Sequence, residues 1–525
     1  MTAGTGAVPR RRRAWSSANE AVVLGAAALW RVGGSRALNV ATLVLFALMG
    51  TFFAVVIFVP PFQGVVDGVP FVAKTSRVPD EFRHIGNILL YAERPVAAGP
   101  FLSDVTPETL WLGEVERFPS YLYYWLMSFP ARGLLAAGIG YEAVVVVLRL
   151  LTVVTGIGCL LVLRALLRGA GVGAATTGWS VLALALTGRF VWQSAGVSYD
   201  TPSMLLFLLV LLAMVHLLRQ VTVVWSLVLV AAASAASITK YTFFPFVAAG
   251  VVVLVVVLAL QGRRHPDPGL RARLVAELRE RRVLVVLLGV LALVCVALLV
   301  ERIGLNLLVH GSANPSCDVI HTAEECTVFD IYRRNREVRE TYLAEVAGGV
   351  REPQRLDLPR YALTWAGIYY ESTFFYRGRD TDWELPGAVA LLGRATILAG
   401  ALVGVAWIRR LLRTPAAVVV GGVCMLYVAG VFVFNLRTWL SLDQYYAHSG
   451  RYLLPVLGVA VAAALTAALW TWQRCPRAWR GVAAVLTAAV LLAVALTHNP
   501  VTAFLPYVDH PAWFTDGAAD VLIDR

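Results

Sequence analysis

Long apolar runs with almost no charged residues divide this chain, and they constrain its fold more than any other feature. Eleven of these runs approach the roughly 20 residues with which an α-helix crosses the hydrocarbon core of a bilayer. Because 58% of the 525 residues are hydrophobic, one water-soluble core could not bury them. The sequence therefore predicts an all-α polytopic membrane protein with about 11 transmembrane helices. The predicted spans cover residues 38–59, 143–163, 174–192, 203–218, 221–239, 242–260, 283–300, 386–408, 416–434, 453–471 and 481–497.

Two long polar segments, residues 60–141 and 301–385, interrupt the apolar runs. The first contains an aromatic-rich stretch at 118–127, which is typical of a helix lying at a membrane surface. We therefore expect both segments to be extracytoplasmic loops that bear interfacial helices. The chain divides into a basic N-terminal segment 1–37, a transmembrane core 38–497 and a polar C-terminal tail 498–525.

The distribution of charge predicts how the chain is oriented in the membrane. Segments predicted to be cytoplasmic hold 22 of the 45 basic residues but only 4 of the 33 acidic residues. Arginine far outnumbers lysine in a chain rich in alanine, valine and leucine, which favours a GC-rich bacterial source. We expect a bacterial cytoplasmic membrane, with the N-terminus inside and the C-terminus outside. The net charge of +12 could suggest nucleic acid as a partner. However, the basic residues lie in short runs between spans, and this distribution argues against such a partner.

Two cysteines, Cys317 and Cys326, share the second long loop. If that loop faces the oxidising side of the membrane, a disulfide between them is expected. No CxxC or Cys/His spacing typical of a zinc site occurs in the chain.

An acidic pair, Asp80 and Glu81, follows a proline in the first long loop. One interpretation is structural, because acidic residues at a helix N-terminus cap free N–H groups and interact well with the helix dipole. The other is catalytic: one carboxylate serves as a general base that takes a proton from an incoming hydroxyl. If a helix begins here, His84 lies one turn from Asp80 and could orient it or help to bind a metal ion.

Several cations lie at the predicted outer ends of spans, where the positive-inside rule gives no reason for them. A cation in the outer half of a bilayer needs an anionic partner or a polar cavity, unless its side chain extends to the headgroups. The partner could be a carboxylate of the protein or the phosphate of a lipid substrate, since arginine and lysine both bind phosphate. Arg189, Lys240 and Arg451 lie at such ends, whereas Arg149 and Arg394 each lie roughly eight residues, or about 12 Å, below an outer helix end.

Three further segments carry candidate polar groups. Asp200, before Thr-Pro, is either a helix N-cap or a second acid near the reacting centre. Gly450 allows close backbone approach and would place Arg451 and Tyr452 at headgroup depth, although an aromatic belt explains the same pattern. An acidic run before the eighth span could bind a divalent ion or hydroxyl groups, but more often such a run is a solvated loop. Its acids are Asp380, Asp382 and Glu384.

Taken in order, these motifs resemble the GT-C superfamily of membrane glycosyltransferases, and more narrowly the bacterial family called domain of unknown function 2142. The similarity runs from about the first span to the tenth, through the segments 79–84, 121–125, 198–200, 239–241 and 449–455. The resemblance implies a polyprenyl-phosphate sugar donor, an acceptor in the cell envelope and inversion at the anomeric carbon. Asp80 or Glu81 would be the base, with Lys240 and Arg451 on the donor phosphate. The chain departs from the family pattern at Ser198-Tyr-Asp, where an Asn-rich turn is expected.

The leading hypothesis is therefore an integral membrane glycosyltransferase, with metal dependence left open. The main alternative is a flippase or transporter for lipid-linked sugars, which also needs cations for phosphate. A transporter usually shows internal repeats and charges near the midplane, whereas here the polar mass lies in two loops. A noncatalytic partner in envelope assembly is the third possibility, and it predicts that the carboxylates are dispensable.

Overall fold

The structure is a computed structural model, and it describes residues 10–58, 63–66, 69–72, 80–93, 117–264, 267–328, 330–352, 356–375, 385–442, 445 and 448–504. Within these ranges the chain is helical apart from turns and two four-residue strands. The strands, β1 (Gln63–Val66) and β2 (Val69–Val72), pair antiparallel with Gln63 opposite Val72. The predicted all-α architecture is confirmed, with this small strand pair as an addition.

The helices follow the apolar pattern of the sequence closely. Short π-helical turns occupy Phe53–Ile57 and Val300–Gly304, and 3-10 turns occupy Tyr241–Phe243, Gly450–Leu453 and Arg477–Trp479. The helices are α1 (Arg10–Val32), α2 (Arg36–Phe52), α3 (Glu81–Glu93), α4 (Leu122–Ala136), α5 (Tyr141–Gly169), α6 (Ala174–Ala185), α7 (Gly188–Ala195), α8 (Asp200–Arg219), α9 (Val223–Thr239), α10 (Phe244–Arg264), α11 (Leu270–Glu280), α12 (Arg282–Leu299), α13 (Leu305–His310), α14 (Cys317–Ile320), α15 (Asp330–Ala347), α16 (Leu358–Phe374), α17 (Gly387–Ala406), α18 (Ile408–Leu411), α19 (Pro415–Leu442), α20 (Leu454–Arg474), α21 (Arg480–Thr497) and α22 (Pro500–Phe504).

Nine helices in the described ranges are long and apolar enough to cross a membrane, so the predicted number of 11 spans is not confirmed. Helices lie at all 11 predicted positions, but two of them are shorter than the rest. The fifth predicted span, α9, has 17 residues. The third is broken into α6 and α7 at Thr187, whose backbone is extended. At the break, a Cβ on Gly188 would lie 2.9 Å from the Phe374 carbonyl oxygen, so the chain needs glycine for this close approach.

The helix α8 lies at the centre of the bundle. In its most apolar window 67% of the residues are buried within the protein, whereas the value for α21 is only 6%. It packs against α5 and α9 and contributes Phe207, which is fully buried. The first residue of α8, Asp200, therefore lies at one end of the bundle close to its axis.

Residues within the first long polar segment are anchored to the π-helical turn after α12 and to α13. The Arg117 side chain donates hydrogen bonds to the carboxylate of Glu301 (2.7 Å) and to the amide oxygen of Asn306 (2.8 Å). Next along the chain, Ser120 Oγ accepts a hydrogen bond from the Tyr241 backbone N–H. These contacts hold the aromatic segment before α4 against the end of α9, where Lys240 follows.

The structure joins Cys317 and Cys326 in a disulfide, with their Cα atoms 5.8 Å apart. Tyr332 packs against the buried sulfur atoms. The orientation of the chain in a membrane stays a prediction, as do the domain boundaries drawn from the sequence.

Candidate active site

Four charged residues from distant parts of the chain meet at one end of the bundle. Asp80 precedes α3, Asp200 begins α8, Lys240 follows α9, and Arg451 lies in the 3-10 turn before α20. Because α8 and α20 begin at this end and α9 finishes there, the three elements bring their terminal residues to the same place. We call these four residues the charged cluster.

Ion pairs link the charged cluster in a continuous chain. Arg451 Nη2 lies 3.0 Å from Asp80 Oδ2, and its Nη1 lies 3.6 Å from Asp200 Oδ2. Lys240 Nζ lies 2.5 Å from the other oxygen of Asp200. The Asp200 side chain is 5% exposed, whereas that of Asp80 is 42% exposed. The cluster is thus buried on the Asp200 side and open on the Asp80 side.

Aromatic rings line the two cations. Lys240 Nζ lies 4.5 Å from the centroid of the Tyr452 ring and 5.5 Å from that of Tyr199. The guanidinium carbon of Arg451 lies 5.1 Å from the Tyr452 ring. Cations beside aromatic faces keep part of their stabilisation without water, so both can be held at the edge of an apolar core.

Asp200 is fixed by uncharged partners as well as by the cations. Gln193 Nε2 donates to Asp200 Oδ2 at 3.1 Å, and Ser198 Oγ accepts from the Asp200 backbone N–H. Gln193 was not among the residues predicted from the sequence. The signal that could have found it is its position as a polar residue just beyond an apolar run and seven residues before Asp200.

The turn that carries Arg451 packs directly against α16. A Cβ on Gly450 would lie 2.2 Å from Thr373 Oγ1, which explains the need for glycine predicted there. The Gly450 backbone N–H donates to Ser372 Oγ at 2.7 Å. Arg189 is buried in α7 and donates a hydrogen bond to the backbone carbonyl oxygen of Ser372. Arg189 thus contacts α16, the helix against which the turn of Arg451 packs.

Glu81 and Arg149 form a separate pair beneath the cluster. Two hydrogen bonds of 2.8 Å join the carboxylate to the guanidinium, and both side chains are 0% exposed. Glu81 also accepts from the Val197 backbone N–H, and Arg149 donates to the carbonyl oxygens of Ala54 and Phe58. The pair therefore connects α2, α3, α5 and the segment before α8. The adjacent acids Asp80 and Glu81 thus occupy very different environments.

Asp80 adopts a left-handed backbone conformation, with φ of +63°. Non-glycine residues rarely do so, although aspartate tolerates it better than most. Burial alone would raise the pKa of the Asp80 carboxyl, but the charge and hydrogen bond of Arg451 lower it from 3.8 to about 2. In the free protein Asp80 is therefore ionised and held by a cation.

His84 lies one turn into α3 and is 3% exposed. Burial lowers its pKa from 6.5 to about 4, against the opposing effect of Asp80 and Asp200, so the ring is neutral near pH 7. Its Nδ1 lies 2.9 Å from the hydroxyl of Tyr124, and Tyr199 packs edge-on against it. Its Nε2 is buried without a hydrogen-bond partner among the described residues.

The structure does not bring Arg394 to the charged cluster. Arg394 pairs with Glu371 at 2.6 Å, and its side chain is 53% exposed. The acidic run that contains Asp380, Asp382 and Glu384 lies outside the described residues. Across the ranges that are described, no group of three or more His, Cys, Asp or Glu side chains could hold a metal ion.

No protein-family model matches the sequence, and none of the curated proteins matches it. Solved structures that are similar include the oligosaccharyltransferase AglB of Archaeoglobus fulgidus in complex with an inhibitory peptide and a dolichol-phosphate. It is 13% identical, with a TM-score of 0.40 over 89% of this chain and 55% of that chain. The same archaeal enzyme in complex with Zn and sulfate is 12% identical, with a TM-score of 0.42 over 88% and 53%. The chain spans about half the length of these structures.

Proposed function

We propose that the chain is an integral membrane glycosyltransferase of the GT-C type, similar to the family called domain of unknown function 2142. It would move a sugar from a polyprenyl-phosphate donor to an extracytoplasmic acceptor in the cell envelope, with inversion. The observation that carries the proposal is that Arg451 contacts both Asp80 and Asp200. Asp200 also forms an ion pair with Lys240. One site thus combines an open carboxylate with two cations at the end of a membrane bundle.

Lys240 and Arg451 would bind the donor phosphate and stabilise the charge that develops on it as the sugar departs. Fixed cations aimed at a developing charge are usually the largest single contribution to such a reaction. Water would have little access to Lys240, because its side chain and that of Asp200 are buried and the rings of Tyr199 and Tyr452 lie beside it. The same cations would therefore act more strongly here than in water.

Asp80 would accept the proton of the incoming hydroxyl. The acceptor oxygen forms a bond to the anomeric carbon, the bond from that carbon to the phosphate oxygen breaks, and polyprenyl phosphate leaves with the bonding electrons. The hydroxyl proton passes to the Asp80 carboxylate. His84, with its neutral ring and unpartnered Nε2, would accept or donate a hydrogen bond to the acceptor beside Asp80.

Binding of the donor would also activate the base. A carboxyl with a pKa of about 2 is a weak base, because basicity and pKa fall together. A phosphate that attracts Arg451 weakens its pair with Asp80 and so raises the pKa of the carboxyl. The base is therefore strengthened only when the donor is present. Glu81 is held by Arg149 and by the Val197 backbone in the core, so it is less accessible than Asp80 to an acceptor hydroxyl. This difference favours Asp80 as the base.

The first test is the substitution Lys240→Met. We expect a loss of transfer of about a hundredfold or more, because one of the two cations on the phosphate is removed. The measurement is release of polyprenyl phosphate from a panel of polyprenyl-phosphate sugars by the purified protein in nanodiscs. Arg273→Met is the matched control, since Arg273 pairs with Asp267 on an exposed surface. Full transfer by folded Lys240→Met would contradict the proposal, and lipid flipping without covalent product would favour a transporter.

The pH profile should separate the free enzyme from its complex with donor. In the free protein the Asp80 carboxylate is protonated only near pH 2, so kcat/KM should show no acid limb above about pH 4. With donor bound, Arg451 is shared with phosphate, and the acid limb of kcat should lie at a higher pH than that of kcat/KM. Steady-state rates across the pH range at low and saturating donor test this. If the acid limbs of kcat and kcat/KM lie at the same pH, the proposal that donor binding raises the pKa of Asp80 is contradicted.

A further inference from the structure

The cations proposed to bind phosphate are already paired with a carboxylate of the protein. Lys240 Nζ lies 2.5 Å from one oxygen of Asp200, and Arg451 Nη1 lies 3.6 Å from the other. We infer that Asp200 is a fixed competitor of the lipid phosphate and weakens the binding of the doubly charged product more than that of the singly charged donor. The inference rests on the proposed function for the identity of the two ligands.

Asp200 is held in place by groups that do not depend on the cations. Gln193 donates to its Oδ2, and Ser198 Oγ accepts from its backbone N–H. It is also the first residue of the central helix α8. A phosphate that binds Lys240 and Arg451 therefore shares them with a carboxylate that stays in position.

The sign of the effect follows from the charges. Lys240 and Arg451 carry two positive charges, and Asp200 and the ionised Asp80 carry one negative charge each. The donor is a phosphodiester with one negative charge. The product is a phosphomonoester, which carries close to two negative charges above its second pKa of about 6. Repulsion between Asp200 and the ligand is therefore greater for the product, because interaction energy scales with charge.

This discrimination would act on product release. After transfer, the new phosphomonoester gains charge while it still lies beside Asp200. Its affinity is therefore limited, although the same cations stabilise it as it forms. Asp200 would be a specificity-determining residue that contributes to turnover by keeping the product from binding tightly.

The experiment measures binding without turnover. The probes are farnesyl phosphate, a monoester, and farnesyl methyl phosphate, a diester that carries one charge. At about pH 8 we expect Asp200→Asn to bind the monoester about tenfold more tightly than the unmodified protein, and the diester no more than about threefold more tightly. At about pH 5 the monoester carries one charge, so the increase in its affinity caused by Asp200→Asn should fall to the increase seen for the diester.

The matched control is Asp267→Asn, which removes a carboxylate from an ion pair with Arg273 on an exposed surface. It should leave both affinities unchanged. Equal gains for the two probes in Asp200→Asn, or no gain, would overturn the inference. Because Asp200 is buried and paired, thermal unfolding is measured alongside binding to show that the variant is folded.

One comparison needs no substitution. The unmodified protein at about pH 8 should bind the monoester no more than about threefold more tightly than the diester, because Asp200 repels the second charge of the monoester. A tenfold preference for the monoester would overturn the inference even if Asp200→Asn does not fold. These affinities do not depend on catalysis. A failure to observe sugar transfer would therefore contradict the proposed function, but not the effect of Asp200 on the binding of the two probes.

Discussion

Replacing Asp80 with asparagine is expected to lower the rate of sugar transfer about a thousandfold while the protein stays folded. The amide matches the carboxylate in shape and tolerates the same left-handed backbone, but it cannot take the proton of the acceptor hydroxyl. The fold should survive because Asp80 is 42% exposed and its pair with Arg451 is partly solvated. The measurement is single-turnover transfer with saturating donor, which isolates the chemical step.

Donor binding provides the control for this substitution. Asp80→Asn removes a carboxylate that competes for Arg451, so donor affinity should be equal or higher than in the unmodified protein. A rate loss accompanied by a loss of donor affinity would indicate a disturbed phosphate site and not a missing base. Undiminished turnover by Asp80→Asn would exclude Asp80 as the base, and the glycosyltransferase proposal would then need another carboxylate.

Much of the fold follows from hydropathy, because an apolar run long enough to cross a bilayer satisfies its backbone only as a helix. Helices accordingly occur at all the predicted positions. The break between α6 and α7 was not predicted, since it depends on the approach of Gly188 to Phe374, which is distant in sequence. The length of an apolar run gives no information about such a contact.

The candidate site was predictable in part for a similar reason. Cations at span ends such as Lys240 and Arg451 stand out against an apolar background, because each needs a partner there. The sequence could not show that one carboxylate, Asp200, serves both of them. Nor could it separate Asp80 from Glu81, since a difference of one position in a turn decides which side chain faces the core. Arg394 was also predicted as a candidate from its position in a span, but it pairs with Glu371 outside the charged cluster.

Glu81→Gln should be the most destabilising single amide substitution at this end of the bundle. It leaves Arg149 charged in a place where both side chains are 0% exposed. Breaking a buried pair by removing one partner typically costs about 3–5 kcal/mol, because the remaining charge has lost its compensation. We expect a loss of this size in the free energy of unfolding, seen as a large fall in the thermal midpoint of the purified protein. Asp80→Asn should lower it far less.

Two further variants test whether charge is the cause. Glu340→Gln breaks an exposed pair with Arg336 and should change the free energy of unfolding by no more than about 1 kcal/mol. The double variant Glu81→Gln/Arg149→Met removes both charges, so it should recover much of the stability lost in Glu81→Gln. Transfer per folded molecule should then remain measurable, because Asp80 keeps its carboxylate. If Glu81→Gln were as stable as the unmodified protein but inactive, Glu81 and not Asp80 would be the catalytic carboxylate.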